Sequence, residues 1–218
     1  MKDKKIKLRY GENPKQKAYL ICSKNKTIFD YQINGKKISY NNIIDLDSGL
    51  KCINEFDEPT SVIVKHTNPC GVAISDSIAS AYQKAHDADP VSAFGSIIGL
   101  NQEVDEATAS AISETFVEAV VAPSFSEAAL AILTKNPSIR LLSTPAFMEN
   151  GHLNTYKFVQ GGVLLQSVDN QLIDTEKSSV PTKVKPNSSD EQDLEFAFKV
   201  CKHVKSNAIV IAKDGQAV

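Results

Sequence analysis

Twelve residues at 62–73, VIVKHTNPCGVA, constrain the fold of this chain more than any other stretch. Val62, Ile63 and Val64 form a β-branched run of the kind that fills a buried strand. Asn68-Pro69, with Gly71 close behind, is turn chemistry. Lys65 and His66 are therefore expected where a core strand leaves its sheet. In parallel α/β sheets that edge is where ligands bind. A cation beside a group that titrates near neutral pH has the makings of acid–base machinery. Read from the residues alone, His66 is either a general base helped by Lys65 or a packed histidine bonded to a loop carbonyl.

The segments around this stretch predict an α/β fold. Strands are expected at 61–65, 96–100, 117–122 and 139–142. Helices are expected at 77–88, with Ile78, Ala81, Tyr82 and Ala85 on one face, at 105–116 with an acidic first turn, and at 126–133 behind a capping Ser126. Such alternation implies βαβ units with right-handed crossovers. A further strand is expected at 158–166, containing Gly161-Gly162. Upstream, Asn34-Gly35 reads as a hairpin turn between 31–33 and 38–40. Leu46, Leu50, Ile53 and Phe56 have helical spacing over 45–56. Residues 168–187 are polar and broken by Pro181 and Pro186, a linker or a loosely packed excursion. Ser189 then caps a helix, with Gln192 in the capping-box position and a stripe of Leu194, Ala197, Phe198, Cys201 and Val204. A strand at 207–212 and a turn at Asp214-Gly215 follow. The returning strand has almost no residues left before Val218, so the sequence reads as truncated at its carboxyl end.

Composition narrows the function classes. Apolar residues are 42% and charged residues 23% of 218, with a net charge of -2, which gives no sign of a nucleic-acid or membrane surface. No secretory leader and no run long enough to span a bilayer are expected. Cys22, Cys52, Cys70 and Cys201 never form a CxxC pair and read as reduced, intracellular thiols. Dinucleotide, P-loop and nucleophile-elbow motifs are absent. A zinc deaminase site needs H-x-E and P-C-x-x-C, but Asn68 and Ala73 stand where the Glu and second Cys belong. Arg9 and Arg140 are the only arginines, and Arg9 draws notice by its rarity, either as a phosphate ligand or as a solvated residue near a terminus. Glu118, inside an apolar strand, must be paired, exposed or functional. Gly95 either admits a ligand to the backbone or makes a turn. His86, His152 and His203 read as surface or helix-face residues.

Six motifs in order carry a resemblance: LRYGENPKQKA, VIVKHTNPCGVA, DPVSAFGSIIGLN, EAVVAPSFSEAAL, QGGVLLQ and KHVKSNAIVIAKDGQ. Together they resemble the transformylase part of the AICAR formyltransferase/IMP cyclohydrolase family, nearly end to end. The resemblance implies a three-layer αβα, cytidine-deaminase-like unit with a mixed sheet and no zinc. Its expected extent is 1–167, with a linker at 168–188 and the start of a second such unit at 189–218. It implies formyl transfer from 10-formyltetrahydrofolate to the 5-amine of AICAR, a nucleotide, in a cytoplasmic enzyme whose intact form is a homodimer. His66 matches the proton acceptor and Lys65 the adjacent cation. Arg9 and Tyr10 match the pair that holds the nucleotide, Arg9 on its 5′-phosphate. Gly95 and Glu118 match substrate-contacting positions, and Asn207 a substrate-binding Asn beside the carboxamide.

Three departures from the family pattern stand out. Lys15 stands where the family usually has His, and Met1 is expected close to where the family's cyclohydrolase domain would end. The chain also ends at Val218, before the family's Gly-rich and Gln/Ser/Arg segment. Most contacts to the folate co-substrate are expected beyond Val218, and no residue of this sequence is assigned to them. The expectation is therefore negligible transfer by this chain alone. The rival readings are a non-catalytic nucleotide-binding or assembly module and, more distantly, a hydrolase using Cys70 and His66.

Overall fold

Val62, Ile63 and Val64 lie in β4, and all three are buried. Strands are flanked by helices on both faces of this sheet, so alternate residues of one strand enter different cores. The computed structural model describes residues 4–22, 27–144, 154–171, 173 and 178–218. His152 and parts of the expected linker lie outside these.

The elements run β1 (Lys4–Lys7), β2 (Tyr19–Cys22), β3 (Gln32–Asn34), α1 (Tyr40–Ile53), β4 (Thr60–Lys65), β5 (Asn68–Ile74), α2 (Ile78–Ala88), α3 (Pro90–Ala93) and β6 (Ser96–Leu100). They continue with α4 (Glu106–Ser113), β7 (Val117–Ala122), α5 (Glu127–Leu133), β8 (Arg140–Ser143), β9 (Asn154–Val159), β10 (Gly162–Ser167), α6 (Ser188–Cys201), β11 (Ala212–Lys213) and β12 (Gln216–Ala217). The main sheet has the order β11-β12-β5-β4-β6-β7-β8-β3. Only β6, β7 and β8 pair in parallel, and every other ladder in this sheet is antiparallel. The class is α/β with a mixed sheet.

Two cores sandwich the sheet. Ile63, Ile98, Val120 and Leu141 face α2, α4 and α5, meeting Tyr82, Ile112 and Leu133. Val62, Val64, Ile97, Val121 and Leu142 face α1 and α6, meeting Leu46, Leu50, Ile53, Phe196 and Val200. The stripe expected on α2 is the one that is buried. Packing is closest at Gly71, where an added Cβ would lie 2.0 Å from the Ala85 carbonyl oxygen.

Several local expectations are corrected. Asn34-Gly35 does not join two strands, because β3 pairs with β8 and Ser39 instead caps α1 by accepting from the Asn42 N–H. Between α2 and β6 the chain forms α3, since Asp89 accepts from the Ser92 N–H and Pro90 opens the turn. Gly161-Gly162 breaks the single strand expected at 158–166 into the β9–β10 hairpin. Asn187, not Ser189, caps α6, and Asp190 rather than Gln192 completes the box. Of the expected stripe Leu194 and Phe198 are exposed, Ala197, Cys201 and Val204 are half-buried, and Phe196 and Val200 are the residues buried in the core. The reason is tertiary: α6 turns toward Phe56, whose ring centroid is 5.4 Å from that of Phe196.

The carboxyl end also differs from expectation. Of the strand expected at 207–212 only Ala212 is in β11, yet the returning strand β12 does form and pairs with β5 through Gln216 and Ala73. Val218, read from sequence as the point where an unfinished strand breaks off, is itself tied back. Its N–H donates to the Ile211 carbonyl at 2.9 Å, while its side chain is exposed. The few residues after the Asp214-Gly215 turn suffice because each finds a backbone partner on β5 or on the strand it returns along.

α6 is fastened to α1 by charge as well as by packing. Glu55, just past α1, accepts from Lys202 Nζ at 2.7 Å and lies 3.0 Å from His203 Nε2. All three side chains are largely buried. Burial pushes the Glu55 carboxyl up, but the hydrogen bonds from His203 and Lys202 and their charges outweigh it, leaving it below its ordinary 4.5. A carboxyl lowered by folding contributes stability above its unfolded value and loses it as pH falls through the folded one. Glu55→Gln is therefore expected to cost about 2 kcal/mol at neutral pH. Urea unfolding across pH checks this: the gap between wild type and variant should hold above the ordinary 4.5 and narrow as pH falls below it.

Candidate active site

Lys65 ends β4, Asn68 begins β5, and only His66 and Thr67 lie between them. The expected turn at 68–71 is therefore strand, and the chain reverses two residues earlier. Both turn residues have positive φ, 55° at His66 and 62° at Thr67, as a two-residue hairpin of the primed class demands. Asn-Gly is the usual solution. A β-branched Thr in this region is an outlier, and each such residue carries strain of about 1–3 kcal/mol. Register explains the Pro and Cys that follow. Ile63 pairs with Gly71 and Val64 with Pro69, which leaves Cys70 as a bulge. Pro69 sits beside that bulge, a position that tolerates its missing N–H.

Hydrogen bonds from three sides hold the turn. The Thr67 N–H donates to Asp45 Oδ1 of α1 at 2.6 Å, and Thr67 Oγ1 donates to the His66 carbonyl at 2.6 Å. Lys205, just beyond α6, donates from Nζ to the same carbonyl and from its N–H to Asn68 Oδ1, both at 3.4 Å. Lys65 Nζ donates to the Phe94 carbonyl at 2.8 Å. Asp45 is half-buried. Burial raises its carboxyl above the ordinary 3.8, partly offset by the Thr67 N–H and by the charges of His66 and Lys205.

The same sheet edge carries Gly95 and Glu118. Gly95, with φ +74°, makes the turn from α3 into β6, and its N–H donates to the Phe116 carbonyl at 2.7 Å. An added Cβ there would meet only the Phe116 ring, at 3.6 Å. Its φ, not close packing, demands glycine. Ser96 pairs with Val117 but Ile97 with Ala119, so Glu118 is a second bulge and leaves both cores. It is paired: Arg140 Nη1 lies 2.5 Å from Glu118 Oε2. One correction concerns the edge itself. It is the carboxyl end of β4 but the amino end of the parallel strands β6, β7 and β8, opposite to the edge expected from parallel α/β sheets.

The remaining expected residues approach this edge by two routes. Lys202 and His203 bind Glu55 and Lys205 binds the turn, so the segment leading to Asn207 is fixed beside His66. Arg9 and Tyr10 lie between β1 and β2, with the Arg9 guanidinium 5.4 Å from the Tyr10 ring centroid. Among the described residues neither makes a hydrogen bond or ion pair to the edge. Their loop touches α1 instead, where Asn41 Nδ2 donates to the Glu12 carbonyl at 3.3 Å. Asn41 and Asp45 are four apart, on one face of α1, so a single helix face touches both the Arg9 loop and the His66 turn.

Asp45, Lys205 and Arg140 were not marked by sequence as site residues. Rarity could have pointed to Arg140, one of two arginines. Nothing in the local spacing marks Asp45. Cys70 is a poor nucleophile: burial, with Asp89 nearby, pushes its thiol up to about 11. Among the described residues no group of three or more His, Cys, Asp or Glu is placed to hold a metal ion, and no helix is long and apolar enough to cross a membrane.

A mixed sheet covered by helices on both faces, with a cation, a histidine and an acidic bulge along one edge, defines a three-layer α/β protein with a polar edge site. The chain belongs to the AICARFT/IMPCHase bienzyme family, which it matches over residues 1–218. It is 46% identical over 220 residues to the bifunctional purine biosynthesis protein PurH of Bacillus cereus strain B4264, covering 99% of this chain and 43% of the relative. The PurH proteins of Bacillus mycoides strain KBAB4 and Bacillus anthracis are 46% and 45% identical over the same shares. The chain thus spans less than half the length of these curated relatives.

The left-handed turn makes a stability prediction. Glycine is unstrained at the Thr67 φ of 62°, so Thr67→Gly should gain about 1 kcal/mol, a rise of roughly 2–4 °C in the unfolding midpoint. A lowered midpoint would show that the hydroxyl bond to His66 outweighs the strain.

Proposed function

We propose that this chain carries the nucleotide half of an AICAR transformylase site. The reaction is transfer of a formyl group from 10-formyltetrahydrofolate, a co-substrate, to the 5-amine of AICAR, giving FAICAR in de novo purine biosynthesis. One observation carries the reading. Lys65, His66, Gly95 and Glu118, which the family pattern marks from separate motifs, meet along one sheet edge, and Lys205 fixes the Asn207 segment beside them. Membership of the AICARFT/IMPCHase bienzyme family supports it, as does the naming of relatives as purine biosynthesis proteins. The three-layer unit is read as cytidine-deaminase-like without zinc, and the intact enzyme as a cytoplasmic homodimer. The folate is held mostly by family segments that follow the position of Val218.

The chemistry asks two things of the protein. The 5-amine of AICAR is a weak nucleophile because its lone pair is delocalised into the imidazole carboxamide. Attack on the formyl carbon must be matched by loss of an amine proton and by stabilisation of the oxyanion that forms. His66, exposed at the tip of its turn, takes the proton; collapse of the tetrahedral intermediate then breaks the formyl C–N10 bond and releases tetrahydrofolate, whose N10 takes up a proton in return. Lys65 has three N–H donors and uses one on the Phe94 carbonyl. The others serve the oxyanion or the field around His66. Arg9 binds the 5′-phosphate, Tyr10 flanks it, Asn207 holds the carboxamide, and the Gly95 turn and Glu118 border the base.

Calorimetric titration of AICAR into wild type and Arg9→Ala tests the placement of the nucleotide. Loss of a charge-assisted phosphate contact is expected to weaken binding about tenfold or more. Equal affinities would remove Arg9 from the site.

A further inference from the structure

We propose that Asp45 is a positioning residue for the Lys65–His66 pair: its carboxylate holds the Thr67 N–H and so fixes the left-handed turn that presents His66. The inference rests on the transformylase reading for the word "positioning", but its geometry stands alone. Neither residue of this turn is the Asn or Gly that would adopt positive φ readily. Something outside the turn must hold it. The shortest bond from another element is the 2.6 Å contact of the Thr67 N–H with Asp45 Oδ1, while Lys205 reaches the His66 carbonyl at 3.4 Å.

Asp45 is also an unexpected choice for stability alone. Its carboxyl is raised by burial, against the smaller pull of the Thr67 N–H, His66 and Lys205. A carboxyl raised by folding favours the native state only at low pH, and that contribution is lost as pH rises through the window above 3.8. At neutral pH the charge is a net cost. An Asn would accept the same N–H without the desolvation. The groups facing Asp45 are His66 and the Thr67 N–H from the turn and Lys205 from the segment after α6.

Asp45→Ala and Asp45→Asn in the full chain separate the possibilities by three readouts. For Asp45→Ala, exchange of the Thr67 amide is expected to accelerate at least tenfold, and AICAR affinity to fall at least fivefold. Asp45→Asn should restore most of the amide protection, hold affinity within about threefold of wild type, and show a thermal midpoint no lower than wild type at pH 7. In wild type the Thr67 amide proton shift should titrate with a midpoint above 3.8, rising further in Lys205→Met. Unchanged Thr67 exchange in Asp45→Ala would overturn the proposal. So would an Asp45→Asn midpoint lowered as far as that of Asp45→Ala, which would mark Asp45 as a stability residue. If wild type does not bind AICAR at all, the transformylase reading falls, while amide exchange and titration still decide whether Asp45 holds the turn.

Discussion

The His66–Thr67 turn keeps two L-residues at positive φ, and the rest of the edge is arranged around that strain. Left to itself such a turn would relax, since each residue gives up about 1–3 kcal/mol by staying. It is held because α1 supplies Asp45 from one side and the chain beyond α6 supplies Lys205 from another. Those two elements are in turn joined by Glu55 with Lys202 and His203, and by the contact of Phe56 with Phe196. Partners from 22 to 139 positions away in sequence thus converge on one dipeptide.

Two bulges do the complementary work on the sheet. Cys70 and Glu118 are each the extra residue where a ladder slips, and both slips lie at the same end of the sheet as the turn. A bulge bends its strand and re-aims a side chain. For Glu118 the result is a carboxylate delivered to Arg140 rather than into the core. For Cys70 the result is a thiol close to the Ile63 carbonyl, at 3.4 Å, with no activating environment. The thiol that looks like a nucleophile serves here as scaffolding.

Much of this was legible in sequence, for identifiable reasons. β4, β6 and β7, and the buried face of α2, follow from apolar runs and periodicity strong enough for packing to agree with them. Lys65, His66, Arg9, Gly95 and Glu118 draw notice from the residues themselves, and resemblance gave them their roles and added Tyr10 and Asn207. The Asn187 cap is a local choice, closed by Asp190. The other failures share one cause. Reversal at His66-Thr67 instead of Asn68–Gly71 and exposure of Leu194 and Phe198 were settled by partners far away in the chain. So was the short strand before Val218, which β5 completes. Asn-Pro-Cys-Gly is better turn chemistry than His-Thr, and the Asp45 and Lys205 contacts help to reverse that ranking. The β9–β10 hairpin leaves Tyr156, Phe158, Val163 and Leu165 exposed on its strands, and the described residues do not cover it.

The central claim is that nucleotide binds at the edge built by the turn and the two bulges. The molecule offers a competing place: a cavity at the opposite end of β5, lined by Glu58, Ser75, Asp76, Lys84, Asp193 and Asp214. Backbone amide shifts recorded by NMR during addition of AICAR distinguish the two. The account predicts the largest changes at Thr67, Asn68, Gly95, Glu118 and the Arg9–Tyr10 loop. Changes gathered instead around Asp76, Asp193 and Asp214, with the His66 edge unmoved, would contradict it.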